Sequence, residues 1–427
     1  MSDNSLMSIL KARTKADHDR LESLVFFKEL IRRSLPLDSY IRYLRLLSII
    51  HWSLEKELSL CADERVKKIW HPKRARYNLL INDLDYYSDY LIKDVLDAVN
   101  LTQDFCSLIR RHSSKGALYL LGYFYVFEGS TRGSVKLREI LKENFNKGKD
   151  FSGISYFVNY GDKVNEYWDE FVEQMNALKL DEGETEKVCL SAIDCFQRLY
   201  QIIECLDGNK ERKHLYTVIA LNPMAGNHPV PQDEKELKVS IDVAYKCLKD
   251  FPYLMMRYGT SGRHFTLSDS AWLTYLTEFS QEIINTQVNW LLNVLTTRGV
   301  PSILLEIHLD YLFQELTREK PEKREDYNKL NITRDLIQNQ RVAILNDETV
   351  KTIQQEFKEK ITSQEGDKLP EAIPLLASAM CDEFRGIEGA LSSLKSWLYD
   401  AKIFSQDWIK AILEAEQKLK QIALSKK

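Results

Sequence analysis

The chain has 427 residues, of which 44% are hydrophobic and 29% charged. That length exceeds what a single core ordinarily serves, so two globular domains are expected. The formal net charge of -4 gives no electrostatic reason to expect a nucleic-acid partner.

Only 16 glycines and 10 prolines punctuate a chain rich in Leu, Lys and Glu, which predicts an all-α fold. Seven cysteines, at 61, 106, 189, 195, 205, 247 and 381, form no Cys-x-x-Cys pair. An odd number without that spacing argues against a disulfide framework or a zinc site and for a reducing, cytoplasmic location. The start, Met1-Ser-Asp-Asn-Ser5, lacks a basic region followed by an apolar run, so no secretory signal is expected. The longest apolar run, 117–127, is too short for a membrane span.

Residues 5–24 have helical periodicity, with Leu6, Ile9, Leu10, Leu21 and Leu24 on or near one face. On that helix His18 shares a face with Lys11, Lys15 and Glu22. A neutral imidazole can ligate iron through one nitrogen while a carboxylate takes the other N–H and fixes the ring. Lysines beside it can meet the carboxylates of a ligand. A solvated face carrying a histidine among charges explains the same residues. The next pattern, 37–60, contains His51 and Glu55 at a spacing that can hold a metal. A full site needs ligands from several helices, and 117–127 supplies none, so a buried or interfacial His51 is expected. His71 and His112 read as loop and helix-end residues.

The stretch 117–135 begins apolar and aromatic and then admits glycines without a stop. Gly122, Val126, Gly129 and Gly133 stack on one helical face. Glycine inside a helix costs roughly 1 kcal/mol relative to alanine, so the repeat needs a reason. Close packing of another helix is one reason, and a flat or bulky group lying on the backbone is the other.

Thr14-Lys15-x-x-His18, followed by Glu128-Gly129-Ser130-x-x-Gly133, resembles the heme oxygenases, most closely the bacterial, bacteriophytochrome-associated branch. The resemblance continues through Tyr160-Gly161-Asp162, Trp168, Phe171 and Met175-Asn176-Ala177-Leu178, and so covers about residues 5–205. It implies an all-α domain holding heme between a proximal helix and a glycine-rich distal helix. Within it, His18 is the implied iron ligand and Glu22 its hydrogen-bonding partner, with Lys11 and Lys15 near the propionates. Gly129, Ser130 and Gly133 form the implied catalytic distal face. Ser130 stands where many family members carry aspartate, and Gly133-Ser134 replaces a glycine pair. The basic cluster of the animal enzymes is missing near 168–175, where Lys163 is the nearest cation.

The implied reaction opens heme to biliverdin, carbon monoxide and ferrous iron, using dioxygen and electrons from a reductase or ferredoxin. Heme is then both substrate and cofactor, and a redox protein is the partner. Two other readings stay open: a non-catalytic heme-binding sensor or carrier, and a non-heme iron oxidase on the same fold.

Helical patterns at 151–180 and 184–206 close the first domain, 1–206, with Cys189, Cys195 and Cys205 as small core residues. Residues 207–232, dense in turn formers, read as a linker, with 218–221 either a short strand or an extended segment. A second helical domain, 233–427, follows, with helices expected near 233–256, 268–298, 301–319, 322–342, 347–363 and 370–424. Ser268-Asp269 reads as an N-cap, and Arg298-Gly-Val-Pro301 as a stop and restart. The patch 256–264, two arginines around a glycine turn, fits either an anion site or a plain loop. His264 and His308 are the histidines that could serve a second heme. Neither the role of this half nor the oligomeric state is legible.

Overall fold

In the computed structural model, which describes residues 5–145, 150–208 and 210–425, Ser5 caps the first helix by accepting the Ser8 N–H. The first four residues, on which the expectation of no leader partly rests, lie outside the described residues. Two units cluster separately, Met1–Met224 and Ala225–Lys427. Both are helical almost throughout, so the all-α expectation holds. No described helix is long and apolar enough to cross a membrane.

The first unit contains α1 (Leu6–Glu22), α2 (Val25–Ile31), α3 (Leu37–Leu60), α4 (Glu64–Ile69), α5 (Tyr77–Tyr86) and α6 (Leu96–Lys115). It continues with α7 (Tyr119–Phe145), α8 (Val164–Asn176) and α9 (Glu182–Glu204). The region 151–180 is less helical than expected, because 3-10 turns at Ser155–Phe157 and Gly161–Lys163 precede α8. Local signals set the ends. Asp181 and Glu184 form a reciprocal capping box that starts α9.

Packing follows the apolar faces. α1 buries Leu6, Met7, Leu10 and Thr14, a stripe at helical spacing that lies along α9. α9 also packs along α7, so the two helices of interest share one support. Met7 N–H donates to Asn176 Oδ1 at 3.0 Å, tying the start of α1 to the end of α8. Cys189, Cys195 and Cys205 are buried, as expected of small core residues.

The stretch expected to be a linker is folded in part. β1 (Asp94–Val95) and β2 (His214–Leu215) form a two-residue antiparallel ladder. Thr217 Oγ1 donates to Asp94 Oδ2 at 2.6 Å, and Val218 and Ile219 are buried in a 3-10 turn rather than a strand. This folding carries the first unit to residue 224.

The second unit runs α10 (Glu234–Asp250), α11 (Tyr253–Leu276), α12 (Gln281–Thr297), α13 (Ser302–Glu319) and α14 (Arg324–Ile344). After these come α15 (Asp347–Lys358), α16 (Ser363–Lys368), α17 (Ala372–Phe384), α18 (Ala390–Leu398) and α19 (Gln406–Ser425). The break at 298–301 is as expected, but Ser268-Asp269 is not a cap. It lies inside the second of two helices that make up α11 and meet at a kink at Gly259 (φ 55°, ψ -138°). The true boundary is at 277–280, where Ser280 caps α12 by accepting the Ile283 N–H.

Candidate functional site

On α1 the His18 side chain is half exposed. Its Nε2 lies 3.6 Å from Glu22 Oε1 and its Nδ1 3.7 Å from Asp19 Oδ1, too far for firm hydrogen bonds. The ring meets the edge of Phe196 on α9, with centroids 5.6 Å apart. Lys15 is engaged by Asp19 at 2.7 Å, and this hydrogen bond raises the lysine's pKa. Lys11 is exposed. Thr14, one turn before His18, is buried and donates its hydroxyl to the Leu10 carbonyl at 2.8 Å. It lies near enough to the Tyr125 phenol of α7 to favour that group's charged form, so the two helices approach there.

The glycines of α7 stand in different surroundings. A Cβ on Gly122 would lie 2.1 Å from Ser191 Oγ and from the Val188 carbonyl on α9, so this position exists for close helix packing. A Cβ on Gly129 would meet only the Trp168 ring, at 3.8 Å, and one on Gly133 would meet nothing within 4 Å. Ser130, exposed beside them, donates its hydroxyl proton to the Phe127 carbonyl at 2.7 Å. The guanidinium of Arg132 lies 5.7 Å over the Trp168 ring, bringing a cation to α8 from α7. The sequence-expected residues therefore sit on two neighbouring helices, with side-chain contact between neither glycine and His18.

Beneath the open glycines lies a buried network that motif reading missed. Glu128 is fully buried and is held by Arg74 and by Arg76, the latter at 2.6 Å. Tyr160 donates to its two oxygens at 3.0 and 3.1 Å. Burial pulls the Arg76 guanidinium down, but the Glu128 carboxylate and the Tyr156 and Tyr160 hydroxyls more than offset this, so its pKa is raised and the arginine stays charged. Beside it, His51 Nδ1 is 3.0 Å from Glu55 Oε1 and Nε2 is 3.0 Å from the Tyr156 hydroxyl. Burial lowers the His51 pKa and favours the neutral ring. Both nitrogens are thus occupied, as befits a buried structural histidine. No group of three or more His, Cys, Asp or Glu side chains placed to hold a metal occurs among the described residues. The one sequence signal for this network is a carboxylate directly after the apolar run 117–127, since a buried charge needs partners.

In the second unit the patch 256–264 is a join between two helices at the Gly259 kink, as the plain reading expects, and its anion reading is corrected at Arg257. Arg257 donates to Tyr253 Oη at 2.6 Å, Ser393 O at 2.8 Å and Gly299 O at 3.3 Å. Its donors are spent on internal acceptors. His264 and His308 are both buried.

Residues 4–205 match the model of the heme oxygenase family. A heme oxygenase 1 from Synechocystis sp. is 21% identical over 207 residues, covering 48% of this chain and 86% of the relative. A heme oxygenase from Guillardia theta is 20% identical over 206 residues, covering 47% and 87%. The solved heme oxygenase from Leptospira interrogans aligns with a TM-score of 0.43 at 22% identity, covering 47% of this chain and 98% of its own.

Proposed function

We propose that the first half of the chain, which resembles the heme oxygenases over about residues 5–205, is an enzyme that opens heme to biliverdin, carbon monoxide and ferrous iron. Dioxygen and electrons from a reductase or ferredoxin complete the reaction. The single observation carrying this reading is the pairing of a half-exposed, loosely held imidazole at His18 with the open Gly133 on α7. These residues fit a heme. The imidazole nitrogens stand 3.6 and 3.7 Å from Glu22 and Asp19, beyond firm hydrogen bonds, and Gly133 is open where any side chain would project.

Bound heme supplies the iron that activates dioxygen and is itself consumed. His18 would hold the heme iron through its imidazole, and Glu22, 3.6 Å away, would orient the ring by taking its second N–H. Lys11 and Lys15 carry positive charge on the same helix toward the propionates; Lys15 must share itself with Asp19. Gly129 and Gly133 keep the distal face free of side chains, and Ser130 places a hydroxyl there. Its proton is donated to the Phe127 carbonyl at rest, leaving the oxygen lone pairs available as acceptors.

The test adds hemin to the full chain and follows absorption and bound metal, then supplies a reductant and dioxygen. A Soret band followed by steady biliverdin formation is expected. A stable complex without turnover would replace the enzyme with a sensor or carrier, and bound iron without heme would point to a non-heme oxidase.

A further inference from the structure

Arg74 and Arg76 leave the short turn after α4 and converge on Glu128, and all three side chains are 2% exposed or less. Arg74 reaches further. It donates to the Tyr167 carbonyl at 3.2 and 3.3 Å and pairs with Glu170 of α8 at 3.1 Å. Arg76 also donates to the Phe127 carbonyl at 2.8 Å. Glu128 directly precedes Gly129, and Tyr167 directly precedes Trp168. Arg74 therefore binds the chain neighbours of both members of the Gly129–Trp168 contact.

A buried ion triad contributes little net stability compared with apolar side chains of equal volume, because desolvation cancels most of the attraction. What it does supply is fixed geometry, since a planar guanidinium bonds in set directions. Here the fixed distance is the one between α7 and α8 at the open face.

We propose that Arg74 and Arg76, acting through Glu128, are positioning residues that set the Gly129–Trp168 spacing and thereby how a planar ligand seats on α7. This rests on the heme-binding reading. Lysine at position 74 keeps the charge but cannot bridge Glu128, the Tyr167 carbonyl and Glu170 together. Arg74→Lys in the full chain is expected to bind hemin about tenfold more weakly, the size of effect typical of groups that orient a ligand site indirectly. Its Soret band should broaden as the seating becomes mixed. Trp168→Leu, a change at a partly exposed side chain, should alter the band in the same way without touching the arginines.

Hemin titrations and band shapes on both variants, with circular dichroism of each heme-free protein, decide the matter. A folded Arg74→Lys protein with wild-type affinity and band shape would overturn the proposal. Should Arg74→Lys fail to fold, Trp168→Leu decides alone: an unchanged band and affinity overturn it, and a broadened band upholds it. Failure of the wild-type chain to bind hemin would instead remove the underlying reading, and the proposal with it.

Discussion

Gly129 and Trp168 face each other at ordinary van der Waals distance: a Cβ on the glycine would lie 3.8 Å from the indole ring. Alanine at position 129 therefore fits the heme-free protein without displacement, and at position 133 it enters open space. Each change removes a glycine from a helix interior, so heme-free stability is expected to rise by about 0.5–1 kcal/mol. Under the proposed heme-binding reading, hemin turnover is expected to fall strongly, because a methyl group then occupies the space a heme would take. Melting temperature and single-turnover heme loss on the same variants check both signs. Stable heme-free protein with normal turnover would end the assignment of these glycines.

Gly122 carries the opposite expectation although it lies on the same helix. An added methyl would sit 2.1 Å from a backbone carbonyl of α9, where no rotamer change can relieve it. Gly122→Ala is expected to destabilise the first unit by about 1–3 kcal/mol through overpacking. Denaturant unfolding measures this, and a neutral result would mean that α7 and α9 are further apart than described.

His18→Ala removes a half-exposed side chain whose nearest carboxylates stand beyond firm hydrogen-bonding distance. Heme-free stability is expected to change by no more than about 0.5 kcal/mol. The hemin spectrum is expected to change and turnover to vanish, with partial recovery on adding imidazole. An unchanged spectrum would remove His18 as the ligand.

The helices of the first unit were legible because their apolar stripes repeat at helical spacing, as along Leu6, Leu10 and Thr14. The glycines were legible as a stripe, but their different surroundings were not. Only the position of α9 separates Gly122, pressed on Val188, from the open Gly133. The Glu128 clamp escaped because its arginines are more than 50 residues away in sequence and no local spacing links them. In the second half Gly259-Thr-Ser-Gly262 has the composition of a loop. The two helices meet there at a kink, where Gly259 takes a positive φ, and Gly262 closes against the Leu254 carbonyl, 2.5 Å from where a Cβ would be. Local composition marks the break but not how tightly the two helices join across it.

His308 gives a dependence on pH. Burial holds its imidazole down at about 4, and its Nε2 has no hydrogen-bond partner among the described residues. In the unfolded chain the group titrates near 6.5, so between these values the unfolded state binds more protons. Its contribution is fully present above about pH 6.5 and is lost as pH falls toward 4, by roughly 3 kcal/mol in total. His308→Leu is expected to flatten that limb relative to wild type. Parallel melting curves from pH 7 to 4 would refute this if the two proteins lost stability equally.

The last expectation concerns where the first unit ends. A fragment of residues 1–224 contains α1, α7 and the whole buried network, and it is expected to fold and bind hemin alone. A fragment ending at 206 removes β2, the Thr217 bond to Asp94 and the buried side chains of Val218 and Ile219. Asp94 then keeps its buried partner Arg45, at 3.0 Å, but loses the Thr217 hydroxyl that satisfies its other oxygen. Two aliphatic side chains contribute about 1.5–3 kcal/mol each when fully buried, so the shorter fragment should be less stable by about 3–6 kcal/mol. Denaturant midpoints of the two fragments compare them directly. Equal midpoints would make 207–224 a linker after all, and hemin binding lost from a folded 1–224 fragment would mean that the second unit is needed to complete the site.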